Sequence, residues 1–565
     1  MGVAISIENL NFTYRETEHP ALRDINGQIE DGAFVVIMGH GGAGKSTLCC
    51  ALNALVPCFF RGDYSGRVVV KGQVVGESRV AEMSHIVGLV LQDFEAQLFS
   101  TSVELEVAFG PENHCLPRHE IERRIERYLD FVGLAGMRKR EPASLSGGQK
   151  QRLAIASVLA MEPEVLVMDE PTSDLDPIGR EEVLSVADTL RQERRTLLIV
   201  DHEPETAGEA DQVWLMREGG LFLQGPPRQV LTDLTALESC GAKPPPTVQL
   251  FRAMGWPGSP LTLDEATAAI ERHGLARRRP LNLEASPPPP SDRSVILEAQ
   301  DLGYVYPTRS VEALRNVNLQ IREGEFVAIL GQNGSGKTTL AKHFNGLLQP
   351  TSGEMRVGGR PTREISRRQL AQLVGYVFQN PDHQIFSNTV REEVGFSLRM
   401  AGFDAETIAR RVDEALDIVG LAGYEEEVPF TLTKGERQRV AVASVLATQP
   451  QVIILDEPTT GLDYRHQRNM MEMLRMLNQR GHTVIIITHS MWVAAEYASR
   501  TIVLKDGRVF LDGPTRAIFA QEEALAETAL RPPILLRLGN WLGTQALTVE
   551  QMVQELRRNE HLPLS

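Results

Sequence analysis

The chain has 565 residues, enough for two to four domains that each bury a core. Its 42% apolar and 23% charged content is that of an ordinary globular protein, and a net charge of −16 argues against a broad nucleic-acid-binding surface. The five cysteines lie in the first half without metal-ligand spacing and read as thiols in a reducing compartment.

The opening MGVAISIENLNFTY lacks the basic flank and long apolar core of a signal peptide. A strand-rich stretch, Val3–Glu8, comes first. A strand at Phe34–Met38 then runs into GHGGAGKST, Gly39–Thr47, and a helix is expected over Ser46–Leu55. A lone Gln92 follows, then LSGGQ at Leu145–Gln149, the apolar strand VLVMDE at Val165–Glu170, and His202 after a second apolar strand. Thr262 with Glu265 three residues on predicts a capped amphipathic helix in a small tail. ARRRPLNLEASPPPPSDR, 276–293, reads as an extended Pro-rich linker.

The same order then repeats. Val295–Ala299 and Phe326–Leu330 are strands, GQNGSGKTT spans Gly331–Thr339, and a helix is expected over Thr338–Leu347. Gln379, LTKGE at Leu432–Glu436, VIILDE at Val452–Glu457 and His489 follow, with a second Thr548/Gln551 tail. From Gln92 to Gln379 onward the offset is a constant 287 residues, whereas Tyr14 to Tyr306 and Lys45 to Lys337 differ by 292. The first copy therefore carries about five extra residues near Pro57–Tyr64, expected in a surface loop. A constant offset marks duplication of a whole domain. The expected organisation is a domain over 1–241, a helical tail over 242–275, the linker over 276–293, a second domain over 294–527 and a second tail over 528–565. The longest apolar runs are strand-length, so a membrane role would need another chain to supply the spanning part.

The strand–GxxxxGK[ST]–helix arrangement is a phosphate-binding loop in an α/β domain. Backbone N–H groups and the helix N-terminus face the phosphates, and Gly39, Gly42, Gly44, Gly331, Gly334 and Gly336 let the backbone approach closely. Lys45 and Lys337 would neutralise the β/γ-phosphates, beside Thr47 and Thr339. Ser46 and Thr338 would hold Mg²⁺, with Asp169 and Asp456 accepting from its water. Glu170 and Glu457 are placed to orient or deprotonate an attacking water.

With LSGGQKQR at Leu145–Arg152 in this order, the chain resembles the ATP-binding-cassette (ABC) ATPases over nearly its whole length. That resemblance implies two fused phosphate-loop α/β cassettes, each with a helical subdomain, acting on Mg·ATP. It implies a head-to-tail sandwich in which each ATP sits on one cassette's loop and is capped by the other's Ser146, Gly147 and Gly148 or Thr433 and Gly435. It also implies that Tyr14 and Tyr306 stack on adenine. Gln92 and Gln379 would sense the metal and a partner protein, and His202 and His489 would contact the γ-phosphate. Asp176 and Asp463 would lie in the loop crossing the interface.

On this geometry the loop at Lys45 is capped by LTKGE and the loop at Lys337 by intact LSGGQ. Lys434 replaces a Gly where close approach is expected, and Glu436 brings a negative charge near the rim. The LSGGQ-capped site is expected to carry most turnover.

QNPDHQIF, Gln379–Phe386, is similar to the segment after the same Gln in energy-coupling-factor (ECF) importers of vitamins and transition metals. QDFEAQLF, Gln92–Phe99, departs from it at Phe94 and Glu95. That resemblance implies a peripheral protein on the cytoplasmic face of the cell membrane, bound to an integral-membrane coupling subunit and a membrane-embedded substrate-binding subunit. Glu95, Gln97, Asp382 and Gln384 are its candidate coupling contacts. The fused ATPase of a sugar-type importer has the same layout without the QxPDxQ[IL]F pattern. A soluble tandem ABC ATPase acting on ribosomes usually carries a long charged arm in place of the short linker.

Overall fold

The computed structural model describes residues 2–15, 17–173, 175–275, 293–307 and 311–560. Most of the expected linker therefore lies outside the described residues. The chain divides into two compact units. The first comprises Met1–Ala266 with Asp463–Arg465, and the second Thr267–Leu462 with His466–Ser565.

In the first unit, strand Phe34–Gly39 is buried along its whole length, because both of its faces are covered. Phe34, Val36 and Met38 join one apolar cluster with the helical side of the unit, and Val35 and Ile37 join another beneath the antiparallel sheet. A strand buried on both faces reads as a continuous apolar run, as this one does. It pairs in parallel with Thr196–Val200 and Gln212–Arg217, and the parallel series continues through Val165–Asp169 to Val87–Val90. Antiparallel Gly220–Gly225 closes the far edge of this six-stranded sheet. Val3–Tyr14 is the hub of a second, antiparallel sheet with Leu22–Glu30 and Gly62–Val70. Helices Val103–Asn113, Arg118–Phe131 and Gly147–Leu159 form the helical subdomain.

The second unit repeats this plan. Phe326–Gly331 lies between Thr483–Ile487 and Arg500–Lys505, with Val452–Asp456 and Val374–Val377 beyond and Arg508–Pro514 antiparallel at the edge. Val295–Tyr306 pairs with Val311–Arg322 and Ser352–Val357.

The helices after the two Gly-rich loops are shorter than expected, ending at Leu52 and Phe344. Asn53 and Asn345 follow, and their side-chain oxygens accept from the amides of Leu55 and Leu347 at 3.2 Å. Such a local side-chain turn competes with continued helix. The first strands run longer than expected, to Tyr14 and Tyr306. The extra segment of the first half is only partly loop. It enters through a short helix, Leu55–Cys58, and then lengthens strand Gly62–Val70 so that Tyr14 pairs with Gly62. In the tails, Thr262 and Thr548 accept from the amides of Glu265 and Gln551. The return bonds from Glu265 and Gln551 reach Leu261 and Leu547, one residue before the usual capping-box target. Among the described residues, no helix is long and apolar enough to cross a membrane.

Candidate nucleotide site

Each Gly-rich loop leaves its strand and turns at once into a helix whose first residue is the lysine. A Cβ at Gly39 would lie 2.3 Å from the Met216 carbonyl oxygen, and one at Gly331 would lie 2.4 Å from that of Leu504. Only glycine lets these strands run so close. At Gly42 and Gly334 the backbone is left-handed, yet an added Cβ would meet nothing within 4 Å. The loop is thus tight underneath and open on its outer side, as a phosphate cradle requires. Lys45 Nζ donates to the carbonyl oxygens of Gly39 and His40 at 2.9 Å, and Lys337 Nζ to those of Gly331 and Gln332 at 2.8 and 2.9 Å. Burial pulls the Lys45 ammonium below its ordinary pKa, against the attraction of Glu170 and Asp169. An anion in the cradle would relieve that cost.

Asp169 ends its strand beside the loop and is hydrogen-bonded to Ser46. Burial raises its carboxyl to about 6, and its Oδ1 is buried with no protein partner among the described residues. Asp456 is likewise raised by burial and bonded to Thr338, but Tyr376 also donates to its Oδ2 at 2.8 Å. The first half has Leu89 at that place. A Ser or Thr hydroxyl beside a desolvated carboxylate is the oxygen-rich donor set that Mg²⁺ takes with nucleotide phosphates and water. The residues present fit that ion.

Glu170 and Glu457 stand in the left-handed region, at φ of 48° and 50°. Non-glycine residues hold this conformation at a cost of order 1–3 kcal/mol, and such strain clusters at functional sites. The Glu170 and Glu457 amides are held by the carbonyls of Val200 and Ile487 at 3.1 and 2.9 Å. Glu170 Oε1 lies 2.9 Å from His202 Nε2, while Glu457 Oε1 lies 2.9 Å from His489 Nδ1. Gln92 and Ser173 both donate to Glu170 Oε2 at 3.0 Å. Burial works to raise the Glu170 carboxyl, but His202 and Lys45 outweigh it and hold it at about 2. Glu457 Oε2, by contrast, is buried and has no protein partner among the described residues; Gln379, like Gln92, is exposed.

Tyr14 and Tyr306 are tied to the loops through hydroxyl contacts of 3.1 Å to Thr47 and Thr339. Ser146 and Thr433 cap their own helices, accepting from the amides of Gln149 and Glu436 at 3.3 Å. The side chains of Gln149 and Glu436 accept in return from the Ser146 and Thr433 amides. Gly148 packs closely, with an added Cβ 3.0 Å from Gly179 Cα, and Gly435 less so, at 3.4 Å from Leu462. Gly147 is open, whereas Lys434 in its place carries its ammonium onto Gly461. Asp176 caps helix Pro177–Gln192 by accepting from Gly179 N, and Asp463 is counted with the first unit. Within each unit the loop lysine, Asp, Glu and His converge, while Ser146 and Thr433 hydrogen-bond within their own helix caps.

Two features escaped the reading of the sequence. Lys150 pairs with Glu95, and Arg437 lies 2.7 Å from Asp382 as an ion pair rather than an aligned hydrogen bond. The signal was there in a basic residue after each signature tract. The other is the Glu203–Lys243–Arg180 cluster beside His202, with Lys243 at 2.7 Å and Arg180 at 3.7 Å. Its members are distant in sequence and no motif links them.

The twin, mostly parallel sheets and their cradles define a phosphate-loop nucleoside-triphosphatase fold built twice. The ABC transporter family model matches residues 22–173 and 314–460, and the chain belongs to that family of ATP-hydrolysing cassettes. An ABC transporter ATP-binding protein of Caldanaerobacter subterraneus subsp. tengcongensis is 49% identical over 98% of this chain and 99% of its own length. Another, of Methanosarcina acetivorans, is 41% identical over 94% of this chain and 89% of its own. Among solved structures, cbiO1 from Clostridium perfringens, described as part of the ABC transporter complex cbiONQ, aligns at 38% identity with a TM-score of 0.38. That alignment covers 43% of this chain and 98% of the other.

Proposed function

We propose that this chain is the ATP-hydrolysing, energy-coupling subunit of an ABC importer of the ECF type. Two nucleotides bind, each on one half's loop and capped by the other half's signature helix. Lys45 and Lys337 neutralise the phosphates, while Ser46 with Asp169 and Thr338 with Asp456 would hold Mg²⁺, whose charge offsets that of the transferred phosphoryl oxygens. Glu170 and Glu457 orient the attacking water, and His202 and His489 position those carboxylates. Nucleotide contacts across the two halves favour the closed state, and hydrolysis releases it, moving a membrane partner.

The observation that carries the importer reading is that each Gln is followed by an exposed acid and, four residues later, an exposed phenylalanine. Glu95 and Asp382 are 61% and 41% exposed. Phe99 and Phe386, 62% and 61% exposed, stand edge-on against Phe109 and Phe396 at 4.6 and 4.7 Å. Exposed aromatics beside acids suit a basic, partly apolar partner segment. The partner we propose is an integral-membrane protein with Arg-bearing cytoplasmic helices, acting with a small membrane-embedded substrate-binding protein that supplies the vitamin or metal specificity.

Purification of the tagged chain from native membranes in mild detergent, followed by mass spectrometry, tests this. One multi-span protein with a small apolar membrane protein is the expected result. Two related permeases with an extracytoplasmic binding protein would replace the reading with a sugar-type importer. Ribosomal proteins alone would overturn the transport role.

A further inference from the structure

The five-residue excess of the first half places two adjacent phenylalanines beside Tyr14. Phe60 stands edge-on to the Tyr14 ring at 6.4 Å, and Phe59 edge-on to Phe60 at 5.0 Å. Tyr14 is in turn edge-on to Phe12 at 4.8 Å. Phe59 is 70% exposed and Phe60 39% exposed, so neither is used to fill the core.

Their position is fixed by backbone. The amides of Phe59 and Phe60 both donate to the Leu55 carbonyl oxygen, at 2.9 and 2.8 Å. On the other side, Gly62 crosses the Phe12 ring so closely that a Cβ there would lie 2.9 Å from the ring and 2.0 Å from the Thr13 carbonyl oxygen. The segment is therefore pinned at both ends of the aromatic pair. The corresponding stretch of the second half is Gln349–Pro350–Thr351, with no aromatic residue.

Tyr14 links the aromatic pair to the loop helix. Tyr14 contacts Thr47, two residues after Lys45, through its hydroxyl. An aromatic surface one side chain from that contact lies within the reach of a nucleotide whose phosphates occupy the loop. Flat, solvent-facing π-surfaces gain from stacking on a base, and every base offers such a face.

We infer that Phe60, backed by Phe59, is a second aromatic wall for the nucleotide base at the loop of Lys45, absent from the loop of Lys337, so that the first half holds its nucleotide more tightly. This rests on the reading of Gly39–Thr47 as a nucleotide loop. Its consequence is a division of labour: the first half retains nucleotide while the second exchanges it.

The test uses the full chain carrying Lys337→Ala, so that only the first loop is read. Binding of ATP and of inorganic tripolyphosphate is measured by calorimetry for this background and with Phe60→Ala or Phe59→Ala added. Phe60→Ala is expected to weaken ATP about 5- to 20-fold and leave tripolyphosphate unchanged. Phe60→Trp is expected to show indole quenching with ATP and none with tripolyphosphate. Unchanged ATP affinity in Phe60→Ala, or equal losses for both ligands, overturns the proposal. Loss of binding to anionic phospholipid vesicles with ATP affinity intact also overturns it, and marks the pair as a membrane contact. Lys45→Ala in the same background separates the two levels: if it leaves ATP binding intact, the nucleotide loop itself has been misread.

Discussion

Gln92 Nε2 donates to Glu170 Oε2 across 3.0 Å, and among the described residues no such bond reaches Glu457 Oε2. The Glu170 carboxylate thus has both oxygens engaged, by His202, Gln92 and Ser173, whereas among the described residues Glu457 keeps one buried oxygen unengaged. A carboxylate that must orient water needs a free acceptor. The half with Glu457 is also the one expected to be capped by LSGGQ. Glu457→Gln is therefore expected to leave about a tenth or less of the ATPase of the assembled complex, and Glu170→Gln to leave at least about half. Equal losses in the two variants would sink the asymmetry.

The second signature can be tested through its two changed residues. Glu436 accepts from the Thr433 amide at 2.9 Å and from its hydroxyl at 2.7 Å, as Gln149 accepts from Ser146. Burial works to raise the Glu436 carboxyl, but the Thr433 bonds hold it below the ordinary range. Its carboxylate stays charged and is engaged by its own helix cap. Glu436→Gln should change stability by less than about 0.5 kcal/mol, and Glu436→Ala should cost about 1 kcal/mol, as measured by denaturant unfolding. Lys434 lies over Gly461, where the first half has open Gly147. Lys434→Gly is expected to raise the turnover that survives in Glu457→Gln, and a fall would show that Lys434 assists the nucleotide.

What the sequence made legible here is what is local. The two cradles, their strands and the helix caps depend on residues within one turn or one strand of each other, and the twofold repetition reinforced each. The contacts of Glu170 were not legible, because Gln92 and His202 carry the same letters as Gln379 and His489 yet meet their glutamates differently. That difference lies in which ring nitrogen faces the glutamate Oε1 and in whether the Gln amide reaches Oε2. Leu89 against Tyr376 is a letter that could have signalled unequal carboxylates, since of the two only tyrosine can bond Asp456. The aromatic pair at Phe59 and Phe60 was hidden for another reason: an insertion reads as a loop until its strand pairing is known.

Glu203 contributes one separable part of the pH dependence of the first unit. Burial works to raise its carboxyl, but Lys243 and Arg180 outweigh it and hold it well below the usual carboxylate range. A carboxyl lowered on folding contributes stability that is present above its unfolded pKa of about 4.3 and lost as pH falls toward the folded value. The Ser490 and Gln467 found at the matching places cannot form this cluster. Glu203→Gln should cost the first unit about 1–3 kcal/mol at pH 7, with the difference closing below about pH 4. Urea midpoints against pH for both chains measure it, and a difference that persists at low pH would contradict the assignment.

Asp382 and Arg437 give a prediction whose two halves have opposite signs. The acid sits after Gln379 and the base in the first turn of the helix that Thr433 caps, so the pair joins the proposed partner face to the signature tract. It is partly exposed, and such pairs contribute only about 0–1 kcal/mol to folding, so its removal is tolerable. A guanidinium from a membrane partner would compete with Arg437 for the same carboxylate. Asp382→Ala should then cut recovery of the chain with its membrane partner about tenfold or more, whereas Arg437→Ala should preserve or increase it. Quantitative co-purification of both variants decides between the possibilities. If the two substitutions weaken the complex alike, the pair acts as a structural tie between the Gln379 segment and the signature helix, and the partner's cation must bind elsewhere.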